Sequence, residues 1–166
     1  MKRILIVDDN RTNIAFAKGC LGNRYEFTSA HSGEEAVDIL SRQKYDLVLL
    51  DYVMPGLDGM GVLKFIRGDI RLREMPVVMV TSNEEMEVAC LSAGAQDFVK
   101  KPYAPEVLKM RVGRALEMDD YQKKLSLLVQ QKSKRIEKMQ TSIIANIANL
   151  IENRDKDSGQ HVKRVG

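Results

Sequence analysis

Asp8, Asp9, Asp51, Thr81 and Lys101 are the residues of this 166-residue chain whose types and positions could do chemistry together. Each closes or follows a short apolar run. ILIV at 4–7 ends on Asp8-Asp9, LVLL at 47–50 on Asp51, VVMV at 77–80 on Thr81-Ser82, and FV at 98–99 on Lys100-Lys101-Pro102. A carboxylate at the end of a buried run costs free energy unless it is paired or bound. Three of them gathered in one place repel, and one is driven to protonate unless a cation joins them. Carboxylate oxygens suit Mg²⁺, which keeps several waters and seeks a phosphate oxygen as a further ligand. A lysine and a threonine hydroxyl are natural partners for phosphate. The set reads as a metal-assisted phosphoryl site with an aspartate as nucleophile.

The elements that must position these groups follow from the same runs. Short, continuously apolar strands alternate with segments of helical periodicity at Thr12–Leu21, Gly33–Leu40, Met60–Ile66 and Glu84–Ala93. Tyr25–Ala30 makes a fifth strand, and a fifth helix starts near Pro105, a residue suited to a first helical turn. This alternation predicts an α/β fold, a doubly wound five-stranded parallel sheet covered on both faces. In such sheets ligands bind beyond the carboxyl ends of the strands, which is where the polar endings fall.

Bulk properties exclude several classes. The longest apolar stretches are four or five residues, far short of a membrane span, and no zinc-type Cys/His spacing is present. Cys20 and Cys90 both fall in expected helices, which predicts a reduced, cytoplasmic setting without a disulfide. Charge is uneven: residues 1–103 hold 13 Lys+Arg and 15 Asp+Glu, a net of −2, and the remainder holds 13 and 8, a net of +5. The basic part shows no helix-turn-helix pattern or aromatic platform, so nucleic acid is not an expected partner. His31 beside Ser32-Gly33 reads as a surface residue, Lys100 as a solvated side chain opposite in direction to Lys101, and Met75, Met79 and Met110 as core filler.

The combination Asp8-Asp9, Asp51 followed by MPGLDG, Thr81, and Lys101-Pro102 resembles the receiver domain of bacterial two-component response regulators over roughly residues 1–120. The resemblance implies a flavodoxin-like receiver fold in which Asp51 accepts a phosphoryl group from a sensor histidine kinase or phosphotransfer protein. It implies Mg²⁺ held by Asp8, Asp9, Asp51 and the main-chain carbonyl of Val53, with Lys101 on the phosphate and a cis Lys101–Pro102 bond. Thr81 and Phe98 match the family's switch pair, and small Ser82 leaves the phosphate open to a partner. In that family the positions matched by Val53 and Asn83 flank the path of the hydrolytic water. An apolar Val53 cannot orient that water, so a comparatively long-lived phosphoaspartate is expected. A phosphatase of the haloacid dehalogenase type is the enzymatic alternative. That family carries its nucleophile in an Asp-x-Asp motif after strand one, where this chain has Asp8-Asp9-Asn10.

After Gly113 no glycine or proline occurs until Gly159, so one helix is expected from about Pro105 to about Arg154, roughly 75 Å long. Its apolar seam reads Met118, Tyr121, Leu125, Leu128, Lys132, Ile136, Met139, Ile143, Ile147 and Leu150. Steps of three and four alternate up to Lys132, and the two successive steps of four from Leu128 through Lys132 to Ile136 form a stutter. The seam predicts a parallel homodimeric coiled coil through residues 115–150, and the alternative is a helix folded back on the receiver. The residues 147–165 resemble the opening of an HD-GYP domain, a family of cyclic di-GMP phosphodiesterases, in their Asn-Leu-Ile-Glu-x-Arg-Asp and Ser-Gly-x-His-x-x-Arg-Val runs. By that resemblance Asp157 and His161 match a metal-ligand pair. The alternative, that His161 is a surface residue here, is preferred. The expected organisation is receiver at 1–120, coiled-coil signalling helix at 121–148, and the truncated start of an HD-GYP-like output domain at 149–166. The chain is thus expected to be no enzyme by itself. A receiver with a non-enzymatic output through protein or DNA contacts is the other reading.

Overall fold

Leu47, Val48, Leu49, Leu50 and Asp51 are all buried, and so are Val77 to Thr81. An uninterrupted apolar run is what a parallel strand needs when helices cover both of its faces. The computed structural model describes the backbone of residues 1–83 and 85–162, and side chains as far as Asn153 apart from Glu84. Its five strands are β1 (Lys2–Val7), β2 (Tyr25–Ala30), β3 (Leu47–Asp51), β4 (Val77–Thr81) and β5 (Asp97–Lys100). They pair in parallel in the order β2-β1-β3-β4-β5. The helices are α1 (Arg11–Leu21), α2 (Gly33–Arg42), α3 (Gly59–Gly68), α4 (Met86–Ser92) and α5 (Pro105–Val162). The expected doubly wound, flavodoxin-like sheet is therefore present, with Asp51 and Thr81 as the last residues of their strands. A 3₁₀ turn at Gly22–Arg24 was not anticipated.

Each of the first three helices begins on a short polar side chain that accepts an otherwise orphaned backbone N–H. Asn10 accepts from Thr12, Ser32 from Glu35 and Asp58 from Gly61. Alternate strand residues feed two separate cores. Leu5, Val7, Val48, Leu50, Val77 and Met79 pack against α2, α3 and Cys90 of α4. Ile4, Ile6, Leu47, Leu49, Val78 and Val80 pack against α1, with Cys20, and the first turns of α5. The two cysteines are thus buried on opposite sides of the sheet, with both thiols pushed up by burial.

The methionine reading needs one correction. Met75 and Met79 are in the core, but Met110 is 60% exposed. The buried face of α5 is set by Leu108, Val112, Ala115 and Leu116. Two residues beyond Leu108 is about 200° around a helix, so Met110 points away from the sheet. His31 and Lys100 are exposed as read.

The Cα framework divides into two units, Met1–Tyr121 and a second from Gln122 onward. In the second unit every described side chain, from Gln122 to Asn153, is exposed, including Leu125, Leu128, Ile136, Met139, Ile143, Ile147 and Leu150. Helix α5 extends to Val162, beyond the expected end near Arg154. Asp157 and His161 lie outside the described side chains. No helix among the described residues is long and apolar enough to cross a membrane.

Candidate metal and phosphoryl site

The strand order places the topological switch between β1 and β3, and the polar groups gather beyond the ends of those two strands. Asp8 follows β1 and has 5% exposure, Asp51 closes β3 with 6%, and Asp9 is exposed. Oxygens from the three carboxylates lie within 4.8 Å of one another. Lys101 Nζ reaches between them, 3.0 Å from Asp8 Oδ2 and 2.9 Å from Asp51 Oδ2. The Lys101–Pro102 peptide is cis, and the Lys101 N–H donates to the Thr81 carbonyl at 2.7 Å. Sequence-predicted Asp8, Asp9, Asp51 and Lys101 are therefore brought together.

Burial holds the Asp51 carboxyl above its ordinary value, and Asp8 adds to this while Lys101 opposes it. Burial also works against the Lys101 charge, but its hydrogen bonds to Asp51 and Asp8 outweigh this and raise it overall. Three carboxylates and one ammonium sum to −2, the charge one divalent cation neutralises. A compact set of hard oxygens on a partly wet surface fits Mg²⁺. Asp8 is positioned by more than its strand. The Asn10 N–H donates to Oδ1 at 2.8 Å, and the Asn13 amide donates to both oxygens at 3.1 Å.

The loop after Asp51 is fixed by close backbone approaches. The Gly59 N–H donates to the Tyr52 carbonyl at 3.0 Å, and a Cβ at Gly59 would lie 2.2 Å from the Asp51 carbonyl oxygen. Gly56 has φ +74°, in the left-handed region that favours glycine. Glu34 Oε1, at the start of α2, accepts the Leu57 N–H at 2.8 Å, and the residue's own backbone N–H, followed by that of Leu57, holds the carboxyl below its usual range. The consequence is a loop whose main chain is clamped to two helices, leaving Val53 at 63% exposure.

Thr81 adjoins the site through the Lys101 N–H, and Phe98 is engaged elsewhere. The buried Thr81 hydroxyl accepts the Asn83 N–H at 3.1 Å. Phe98 is half-buried against the α2–α4 core, with the Arg111 guanidinium 5.8 Å from its ring centre. Arg111 in turn donates to both Asp97 carboxylate oxygens at 2.9 and 3.1 Å. A shallow cavity of about 400 Å³ opens beside the site, lined by Asn13, Phe16, Ser82, Lys101, Pro102 and Tyr103. Burial raises the Tyr103 hydroxyl to about 12, with Cys20, Asp8 and Asp51 adding to the effect.

Sequence reasoning missed Asn13, Glu34 and Tyr103. Asn13 sits one turn after the cap Asn10, and that spacing from Asp8-Asp9 was a usable signal. Glu34 contacts a loop 23 positions away, and Tyr103 packs on Phe16, with ring centres 5.6 Å apart. Nothing local in the sequence announces either contact.

Residues 4–113 match the family model of the response regulator receiver domain. The chain belongs to that family. It is thus a receiver of a two-component response regulator, and the acidic pocket of Asp8, Asp9 and Asp51 is where receivers bind Mg²⁺. The match decides against the haloacid dehalogenase alternative. A Vibrio cholerae serotype O1 protein named "Probable cyclic di-GMP phosphodiesterase" is 36% identical over 174 residues, covering 98% of this chain and 39% of that protein. Response regulator MprA of Mycobacterium tuberculosis is 38% identical over 117 residues, covering 69% of this chain and 50% of that protein. The signal receiver domain of a histidine kinase from Syntrophus aciditrophicus superposes with a TM-score of 0.65 at 35% identity, covering 70% of this receiver chain and 91% of that one. The chain spans about two fifths to one half of the length of these two curated relatives.

Proposed function

We propose that Asp51 is the phosphoacceptor of this receiver and that Asp8, Asp9, Asp51 and the Val53 carbonyl hold Mg²⁺. The observation that carries the reading is the buried Asp8/Asp51 pair bridged by Lys101, with Asp9 close by and a local charge of −2. The donor is a phosphohistidine of a sensor kinase or phosphotransfer protein. An Asp51 oxygen forms the new P–O bond as the P–N bond breaks, and the electron pair stays on the imidazole nitrogen. When bound, Mg²⁺ neutralises the carboxylates and the charge developing on the phosphoryl oxygens. Lys101 then exchanges its carboxylate contact for a phosphoryl oxygen. Thr81 gives up its Asn83 contact to reach another oxygen, and Phe98 turns toward the space it leaves. These movements bias a bistable element downstream.

Residues 1–120 form the receiver in this reading, 121–148 a signalling coiled coil in a homodimer, and 149–166 the start of an output segment. The V. cholerae alignment extends past the receiver into the tail, covering 98% of this chain. That extent supports cyclic di-GMP hydrolysis as the output that this receiver controls.

Incubation with acetyl phosphate and Mg²⁺ is expected to add one phosphoryl group by intact mass, and EDTA to prevent it. A folded protein that gains nothing with Mg²⁺ present would sink the proposal. The exposed, apolar Val53 predicts slow loss of that group, because it cannot hold a water in line. Val53→Asn is expected to shorten the phosphoprotein lifetime severalfold in a mass time course, and an unchanged lifetime counts against this role for Val53.

A further inference from the structure

Val53 gives a main-chain oxygen to the proposed metal site, and its exposed side chain offers that oxygen no anchor. The loop must therefore be held on either side of it. On the near side Tyr52 is tied through both halves of its backbone. Its N–H donates to the Val80 carbonyl at 2.8 Å, and its carbonyl accepts the Gly59 N–H at 3.0 Å. On the far side Met54 is buried, but Pro55 and Gly56 are exposed. Gly56 has φ +74°, one of several conformations that a glycine adopts with equal ease. The next fixed point is Leu57, and a different element fixes it.

Glu34 is the group that reaches across. The oxygen that accepts the Leu57 N–H lies in the notch left by Gly56, where a Cβ would stand 2.6 Å from it. Gly33, the first residue of α2, lets the two backbones meet, since a Cβ there would stand 2.1 Å from the Leu57 carbonyl oxygen. Gly61 of α3 makes room for the Leu57 side chain, since a Cβ there would stand 2.5 Å from its Cδ1. Three glycines thus shape a seat for one residue of the loop. The backbone N–H groups of Glu34 and Leu57 lower the Glu34 carboxyl, so it is charged at neutral pH. A hydrogen bond to a charged acceptor is stronger than one to a neutral acceptor. Its neighbour Glu35 does something else: Oε2 accepts the His31 N–H at 2.6 Å, at the start of its own helix.

We propose that Glu34 is a positioning residue of the metal site: by holding Leu57 it sets the turn that aims the Val53 carbonyl, so that Mg²⁺ meets a loop already ordered. The inference rests on the Mg²⁺ reading above and deepens it. Ordering a backbone costs free energy, and a loop that the cation had to order for itself would bind it more weakly. Groups that orient a metal ligand are worth about 10–100-fold in affinity. Glu34 acts on one ligand of four, through the intervening turn, which places it at the lower end.

Calorimetric Mg²⁺ titration of the whole chain tests it, together with hydrogen exchange at the Leu57 amide in EDTA. Glu34→Ala is expected to bind Mg²⁺ about tenfold more weakly and to exchange the Leu57 amide faster in the metal-free protein. Glu34→Gln keeps an acceptor oxygen without the charge, so it should recover part of the loss. Glu35→Ala removes the same charge from the same helical turn and should bind Mg²⁺ as the wild type does. Equal weakening in all three variants would assign the effect to charge alone and reject the positioning role. Faster Leu57 exchange in Glu34→Ala with unchanged Mg²⁺ affinity would leave Glu34 a structural contact only, and the inference would again be rejected. A folded wild type that takes up no Mg²⁺ would overturn the metal reading itself, and the role of Glu34 with it.

Discussion

Asp51→Asn loses most of the thermal stabilisation that Mg²⁺ gives the wild-type protein. A ligand bound only by the folded state stabilises it by about 2.7 kcal/mol at a hundredfold excess over Kd, and each tenfold loss of affinity removes about 1.4 kcal/mol of that. Asp51 supplies one of three carboxylates in the cluster, and it is the one whose charge the fold disfavours. Its folded-state pKa lies above its unfolded value, so its contribution to stability is lost as pH rises through that window. Above that window the cost is fully present. In EDTA, Asp51→Asn should therefore be at least as stable as wild type, and the order should reverse with Mg²⁺. Equal Mg²⁺ shifts in the two proteins, read by thermal melts with and without EDTA, would remove Asp51 from the metal site.

Gly59→Ala destabilises the receiver by about 1–3 kcal/mol, the usual cost of overpacking. The new Cβ would stand 2.2 Å from the Asp51 carbonyl oxygen and 2.9 Å from the Tyr52 Cα, and both are backbone atoms that no side-chain rotation can move aside. The end of β3 must shift, so Mg²⁺ binding weakens together with stability. Gly19→Ala is the control. It lies inside α1 with nothing within 4 Å of the added carbon, so it should gain about 0.5–1 kcal/mol from helix propensity. Urea unfolding of the two variants checks the pair, and a neutral Gly59→Ala would show that the loop is not clamped.

The strands were legible because a parallel sheet buried on both faces leaves an unbroken apolar run. LVLLD and VVMVT are read from sequence almost to the residue. The carboxylate cluster was legible for a related reason, since charge at the end of such a run demands a partner. Contacts made across long sequence separations were not legible. Glu34 reaches Leu57 only because α2 and the loop after β3 meet, and Lys101 bridges to Asp8 from 93 positions away. Lys101 was nevertheless found, because it ends a strand, whereas Glu34 sits in an ordinary helical turn. Met110 failed for a different reason. Apolar type suggests burial, but α5 has apolar residues on two faces, and periodicity alone does not say which one meets the sheet. Helix ends also shifted: α4 starts at Met86, two residues later than expected, and α5 continues to Val162.

Asp51 alone is proposed to carry the phosphoryl group. Borohydride reduction of the acetyl phosphate-treated protein converts an aspartyl phosphate to homoserine, and peptide mass spectrometry then locates it. Homoserine is expected at position 51, dependent on Mg²⁺ and absent elsewhere. Homoserine at position 8 or 9, or a phosphoryl group that resists borohydride, would contradict it.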